Sequence, residues 1–349
     1  MITSALTLLP PETAHVAAIQ ALGTFSALLP APQHFQRLSQ QLVEGLEVSS
    51  PIGLAAGFDK HGQAIGGCFR LGFGTVEVGS ITPQPQPGNP QPRVFRLRQD
   101  QAVVNRYGFN SLGSTQALAN ITKAREAKLG GPLGINLGKN KEGDTLADYA
   151  HGLRAFASQA DYITINLSSP NTPGLRDQQN LDAMRSLLQG LEVDWPSCPV
   201  FVKLAPDLAD QDLDDLVDML VSSRVDGLIL GNTSITRPDT LGSPADLTGQ
   251  AGGLSGAPIF ELSLAKFTRA ARANQAAGSS RKLSLIGCGG ISTLDQVLAY
   301  IRAGASMVQL YTGLLYQGPW LAQKLNRELD QYLYAHALSS LDQLRGKDL

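Results

Sequence analysis

From residue 51 onward the chain alternates short, β-branched apolar runs with longer amphipathic stretches. The runs predict strands at Ile52–Ala56, Thr75–Val78, Leu133–Leu137, Tyr162–Leu167, Val200–Leu204, Gly227–Gly231, Leu283–Gly287 and Met307–Leu310. Segments between them, such as Asp210–Ser223 and Leu294–Ala303, space their apolar side chains as a helix does. Eight strand–helix units in about 270 residues is the size expected of an α/β protein of the (β/α)8, or TIM, barrel type. Between the second and third strands, Arg93–Leu97 and Ala102–Asn105 predict a short β-hairpin turning at Arg98-Gln99-Asp100, an insertion at the active face.

Such a barrel keeps its site beyond the carboxyl ends of its strands, and polar or glycine residues gather there in this chain. In strand order they are Asp59 and Lys60, Gly79 and Ser80, Asn136, Asn166 and Ser169, Lys203, Asn232, Gly289 and Gly290, then Tyr311 and Thr312. The sharpest cluster is Asn166-Leu167-Ser168-Ser169-Pro170-Asn171, directly after the run Tyr162–Ile165. Pro170 and Pro173 forbid further ladder pairing and force a loop. The cluster holds no acid, histidine or cysteine, so proton transfer there must involve a serine.

Residues 1–45 form a separate N-terminal helical extension, and 46–349 the barrel. Glu12–Leu22 predicts a helix begun after Pro11. Apolar residues from Phe25 to Val43 continue into a second segment, broken at Pro30 and Pro32. Two readings stay open: a helical pair packed on the barrel, or an apolar opening that admits a greasy ligand or rests on a membrane surface. The first 36 residues contain no Lys or Arg, which argues against a signal peptide or an Arg-rich mitochondrial presequence. Prolines interrupt the apolar stretches well short of the ~20 residues that span a bilayer.

With 349 residues, 43% hydrophobic, and a net charge of −2, the composition is that of a globular protein without the basic runs that nucleic acid requires. The three cysteines, Cys68, Cys198 and Cys288, have no metal-ligand spacing and read as reduced thiols of a cytosolic compartment, and no metal is expected. Asn-x-Ser/Thr matches at Asn120, Asn166 and Asn232 read as chance.

Gly252-Gly253-Leu254-Ser255-Gly256, Gly287-Cys288-Gly289-Gly290 and Tyr311-Thr312-Gly313 suit a phosphate cradle, the last two after strands seven and eight. Lys60 and Lys203 close strands on the same face. Either alone reads as a solvated charge; beside a phosphate cradle they suit an anionic ligand and an electron-rich cofactor. Asparagines 105, 136, 166, 171 and 232 supply donors and acceptors for a planar heterocycle such as a flavin or a pyrimidine. These residues alone leave open a flavin barrel acting on a free pyrimidine, or a barrel that binds such ligands without catalysis.

Six motifs then carry a resemblance over nearly the whole chain. They are Leu54–Lys60, Arg93–Leu97, Asn105–Asn110, Asn166–Thr172, Gly252–Gly256 and Gly287–Gly290. Together they resemble the quinone-linked, membrane-associated class of the dihydroorotate dehydrogenase family. The resemblance implies FMN as cofactor, dihydroorotate as substrate, a quinone as acceptor and no partner subunit. It implies Ser169 as the catalytic base, where the soluble class has cysteine. Substrate would meet Lys60, Asn105, Arg106, Tyr107, Gly108, Phe109, Asn166, Asn171, Asn232 and Thr233. FMN would meet Ala56, Gly57, Lys60, Ser80, Asn136, Asn166, Lys203, Gly231, Gly256, Gly290, Tyr311 and Thr312. Arg96 and Tyr311 would lie near the quinone head, Thr172 and Phe109 would shape the proton path, and the Asn171–Arg176 loop would close over the site. Two positions depart from the family: Gly231 stands where threonine is usual, and Ser80 likewise. The class further implies a peripheral protein on the cytoplasmic face of a bacterial inner membrane.

Overall fold

The computed structural model describes residues 8–172 and 174–349. Residues 1–7 of the N-terminal unit and Pro173 of the loop after Ser169 lie outside the described residues. Eight parallel strands close into a barrel: β3 (Ile52–Leu54), β4 (Thr75–Ile81), β7 (Leu133–Leu137), β8 (Tyr162–Asn166), β9 (Val200–Leu204), β10 (Gly227–Leu230), β12 (Ser284–Cys288) and β13 (Met307–Leu310). All eight fall on the runs predicted from sequence. Their near-continuous burial follows from helices covering one face and interior side chains filling the other.

The helices bear out their periodicity. Asp210–Val221 buries Leu213, Leu216, Val217 and Leu220 against the sheet. Leu294–Arg302 opens with a capping box, Thr293 accepting from the Gln296 N–H while the Gln296 side chain reaches back.

Below the strands lies a small hairpin absent from the sequence reading: β1 (Gln40–Val43) paired antiparallel with β2 (Leu46–Val48). Leu42, Leu46 and Val48 cluster with Tyr162, Phe201, Ile229, Ile286 and Met307, so the hairpin plugs the amino-terminal end of the barrel. The Tyr162 and Phe201 rings meet edge-on at 5.3 Å. Gly134 makes room for Tyr162, since a Cβ there would come within 2.1 Å of its ring.

At the opposite end, β5 (Val94–Leu97) and β6 (Ala102–Asn105) form the expected hairpin, and a third strand, β11 (Gly253–Gly256), joins β6. The first glycine-rich segment is thus largely a strand of this small sheet, and it leads directly into the 3-10 turn Ala257–Ile259 and the helix Phe260–Ala276.

The N-terminal unit differs from a helical pair. Pro11–Phe25 is one helix, with proline at its first turn where no N–H is needed. Residues 26–43, expected to continue as a second helix, instead make single 3-10 turns at Ser26–Leu28 and Gln36–Leu38 and then β1. Prolines 30 and 32 prevent helical hydrogen bonding between the turns. The helix packs closely on Ile65–Arg70: the Leu22 carbonyl lies 2.4 Å from where a Cβ on Gly67 would be. Arg93 clamps its start through Glu12 at 2.6 Å, while also donating to the carbonyls of Pro87 and Asn89.

Candidate active site

A cavity of about 1120 Å³ opens at the carboxyl ends of the strands, between the barrel mouth, the β5–β6–β11 sheet and the helix Pro11–Phe25. That exceeds a usual small-molecule site and leaves room for more than one ligand.

Its floor is a hydrogen-bonded amide ladder set by strand register. Asn136 lies opposite Gly79 on β4, and Asn166 opposite Lys203 on β9. Asn166 Nδ2 donates to Asn136 Oδ1 at 2.9 Å and to Ser80 Oγ at 2.8 Å, and Ser80 Oγ donates to Asn136 Oδ1. Asn166 Oδ1 in turn accepts from Ser168 Oγ at 2.7 Å, whose oxygen accepts from Asn232 Nδ2 at 2.6 Å. Each amide has a defined direction, and three successive strand ends are tied together.

Ser169 lies just past β8, 7% exposed, and its Oγ accepts the Asn171 N–H at 3.3 Å. The loop that follows is held by Arg176, which donates to the carbonyls of Ser168 and Thr233 and pairs with Asp207 at 2.7 Å. One side chain thereby joins the ends of two strands across the loop.

Lys60 reaches the cavity from the turn after β3. Its ammonium donates to the Gly57 carbonyl at 2.9 Å and sits 4.2 Å from the centre of the Tyr107 ring. Burial lowers its pKa to about 8, opposed by the attraction of Glu12. The turn itself is set by Asp59, fully buried, which accepts from the N–H groups of Gln63 and Ala64. Burial raises the Asp59 pKa, and these backbone donors pull it back.

The entrance is different in kind. Pro11, Ala14, His15, Ala18, Leu22 and Phe25 recur at helical spacing and turn one face into the cavity. Burial, reinforced by Lys60, drops the His15 pKa to about 3, so the ring is neutral at neutral pH. His15 meets Phe58 edge-on, and Phe58 meets Tyr311 likewise. The Tyr311 hydroxyl donates to the Gly57 carbonyl at 3.2 Å, and burial pushes its pKa far up. Arg96 lines the same region and donates to the Leu9 carbonyl at 2.8 Å.

Most residues expected at the site converge here. Ser169, Lys60, Asn105, Tyr107, Gly108, Phe109, Asn166, Asn171, Asn232 and Thr233 line the cavity, as do Ala56, Gly57, Ser80, Lys203, Gly256, Gly290, Arg96, Tyr311 and Thr312. Three do not. Arg106 turns away, stacked over Phe95 and bonded to Gln250, Ala251 and Pro92. Asn136 lies behind the wall and acts through Asn166 and Ser80. Gly231 also lies behind it. With φ of +119° and a virtual Cβ only 1.6 Å from the Cys288 carbonyl, this backbone excludes the threonine usual in the family.

Sequence reading missed Gln309 and Glu77. Gln309, 1% exposed, lines the floor, and Glu77 is fully buried beneath it. Their signal was present: one long polar side chain inside each of two buried strands, a placement that demands a partner.

The closed barrel with a polar mouth at its strand ends defines a barrel enzyme in its architecture. A family model described as dihydroorotate dehydrogenase matches residues 38–333. Among similar proteins, the dihydroorotate dehydrogenase (quinone) of Agrobacterium fabrum is 42% identical, covering 97% of this chain and 93% of that protein. The mitochondrial dihydroorotate dehydrogenase (quinone) of Mus musculus is 44% identical, covering 98% and 87%. A crystal structure of DHODH from Eimeria tenella in complex with ferulenol superposes with a TM-score of 0.89 at 35% identity, covering 97% of this chain and 95% of that one. The chain belongs to the dihydroorotate dehydrogenase family.

Proposed function

We propose that this protein oxidises (S)-dihydroorotate to orotate with FMN as cofactor and a quinone as acceptor, the quinone-linked step of pyrimidine synthesis. One observation carries the reading: the Ser169 hydroxyl is buried at the end of β8, in one cavity with Lys60 and a wall of directed amides.

The residues present fit FMN. Asn166, Ser80 and Lys203 offer donors and acceptors to a planar ring. Gly256, Gly290, Thr312 and Gly313 offer backbone N–H groups at the far end, where a phosphate would lie. Thr233 Oγ1 and Asn110 Oδ1 are buried with no hydrogen-bond partner among the described residues, as groups awaiting a ligand would be. When bound, FMN accepts a hydride from the substrate and passes its electrons to the quinone.

Ser169 Oγ takes the proton from C5 of dihydroorotate as hydride leaves C6. As that proton arrives, the hydroxyl's own proton leaves outward, and the Asn171 N–H, donating to the oxygen, stabilises the alkoxide character it carries between the two transfers. Lys60 receives the substrate carboxylate, while Asn105, Asn171 and Asn232 hold the ring. Thr172 Oγ1, buried and without a partner among the described residues, and Phe109 flank the proton's way out. The Arg176 contacts keep the loop shut over this chemistry and water excluded.

The quinone enters along the helix Pro11–Phe25 toward Arg96 and Tyr311. Leu8, Val16, Phe25 and Leu28, between 49% and 82% exposed, supply the apolar surface by which a peripheral protein rests on the cytoplasmic face of a bacterial inner membrane. No helix among the described residues is long and apolar enough to cross a membrane. The N-terminal unit, residues 1–45, and the barrel, 46–349, divide the labour between acceptor and substrate.

Anaerobic addition of dihydroorotate, followed by a soluble quinone, tests the whole reading. Bleaching of the visible flavin spectrum and its recovery on quinone are expected; a yellow protein that never bleaches overturns the substrate assignment.

A further inference from the structure

Lys203 is a cation held in the barrel interior at 3% exposure. Among the described residues no carboxylate pairs directly with its ammonium, whose hydrogen bond goes to Gln309 Oε1 at 3.3 Å. A cation taken out of water needs compensation nearby. It is reached through the same amide, because Gln309 Nε2 donates to Glu77 Oε2 at 2.6 Å. Glu77 also accepts from the Tyr162 hydroxyl at 3.1 Å and from Asn136 Nδ2 at 2.7 Å. All three partners donate, the arrangement an ionised carboxyl group requires. The other fully buried carboxylate among the described residues, Asp59, is engaged by backbone N–H groups of its own turn.

We infer that Glu77 is the counter-charge of Lys203, coupled to it through Gln309, and that this buried pair sets the electrical environment of the flavin while fixing the direction of the amide ladder. The inference rests on the reading that FMN occupies this mouth. Glu77 is a positioning residue with two outputs. Its charge offsets that of Lys203, so the flavin ring meets a partly cancelled cation. Its acceptor-only oxygen also obliges Asn136 to turn Nδ2 downward, which leaves Oδ1 for Ser80 and Asn166. A glutamine at 77 would cancel the charge and let that amide turn either way.

The test uses the FMN-loaded protein and three variants: Glu77→Gln, Gln309→Leu and Tyr162→Phe. Each is read by the reduction potential of the bound flavin and by KM for dihydroorotate. Removing a nearby negative charge, or cutting its link to Lys203, favours the reduced ring. Glu77→Gln and Gln309→Leu are therefore both expected to shift the potential upward, with Tyr162→Phe unchanged. Glu77→Gln alone is expected to raise KM as well, by about tenfold, the equivalent of ~1.4 kcal/mol. Unchanged potentials in both Glu77→Gln and Gln309→Leu overturn the inference. Should Glu77→Gln fail to fold, Gln309→Leu, which leaves the contact between Glu77 and Asn136 in place, decides it alone. A wild-type protein that neither holds nor takes up FMN overturns the cofactor reading and this inference with it. A wild type that bleaches with dihydroorotate, beside unshifted variants, overturns the inference only.

Discussion

At and just behind the floor of the cavity, Asn136, Asn166 and Lys203 stand on the neighbouring strands β7, β8 and β9, and Gln309 reaches Lys203 from β13 across the barrel, each hydrogen-bonded to another or to a shared partner. At its entrance, Ala14, Ala18 and Leu22 present plain apolar surface from a helix tied down by one ion pair and close packing. The floor is positioned by eight-strand closure, so each polar atom has a fixed direction. The entrance is positioned by a single helix laid on the mouth, and the task proposed for it, admitting a quinone, needs only width and an apolar lining. A reaction that moves a proton and a hydride needs placement within fractions of an ångström, whereas admitting a long apolar molecule does not. Changes at the floor should therefore disable the substrate half-reaction, and changes at the entrance should spare it.

The largest effect is expected from Ser169→Ala. A positioned general base contributes roughly 10²–10⁴-fold, so flavin reduction by dihydroorotate should fall by about a thousandfold in anaerobic stopped flow. Reoxidation by quinone of chemically reduced enzyme should be unchanged. A variant reduced at the wild-type rate would remove Ser169 from the mechanism and collapse the contrast between the two ends.

Ala18→Trp tests the other end. Ala18 lines the cavity from the middle of the entrance helix, and an indole there fills the path without touching the floor. Quinone turnover should drop about tenfold, the scale of ~1.4 kcal/mol of lost binding, with flavin reduction by dihydroorotate intact. Equal losses in both half-reactions would mean that the two regions are not separable.

The same division decided what the sequence disclosed. The eight barrel strands were legible because burial on both faces writes a continuous apolar run, as in Val200–Leu204. The polar residues capping them were legible because short polar side chains directly after such a run have few structural reasons to be there. The plugging hairpin was not, since Gln40-Gln41-Leu42-Val43 shows only a few alternating positions and its partner β2 is three residues long. Nor was β11, whose Gly253-Leu254-Ser255-Gly256 reads as a flexible loop until β6 supplies its hydrogen bonds. Glu77 and Gln309 were hidden by their own strands: each is the one long polar side chain in a buried run, and only closure of the barrel brings them within 2.6 Å. Arg106 failed in the opposite sense, for it sits inside a motif whose neighbours face the cavity, while its own side chain is drawn away, just past the end of β6, by Gln250 and the carbonyls of Ala251 and Pro92.

A smaller effect follows from Lys60, which belongs to the floor by its proposed role yet feels the entrance through Glu12 and Arg93. Its pKa, lowered to about 8 by burial, places loss of its charge just above neutrality. The protonated form binds a carboxylate, so KM for dihydroorotate should be flat below pH 8 and rise above it, approaching tenfold per pH unit. Bound substrate, being anionic, raises the pKa again, so kcat should vary less than kcat/KM over the same range. A pH-independent kcat/KM between 7 and 9 would exclude Lys60 as the carboxylate partner.

The smallest expected change is the most direct probe of how the two regions are joined. Glu12 is the acidic partner of Arg93, whose side chain is 8% exposed, and it also accepts from Gln91. Glu12→Gln keeps the shape and one acceptor oxygen but leaves the Arg93 guanidinium without its counter-charge, held by the Pro87 and Asn89 carbonyls and the face of the Tyr107 ring. Glu12 is itself partly exposed, so the loss should be modest, about 1 kcal/mol. The barrel core does not depend on this contact, so the cost should appear as looser docking of the helix. Protease cleavage near residues 8–30 should quicken and KM for quinone rise two- to threefold, about 0.5 kcal/mol, while the melting temperature barely moves. Removing the attraction of Glu12 should also lower the Lys60 pKa further, which moves the KM rise for dihydroorotate to lower pH. Both shifts together would show that the ion pair at the helix start links acceptor entry to substrate binding. A melting temperature that falls with no change in quinone KM would instead make the clamp a part of the barrel's own stability.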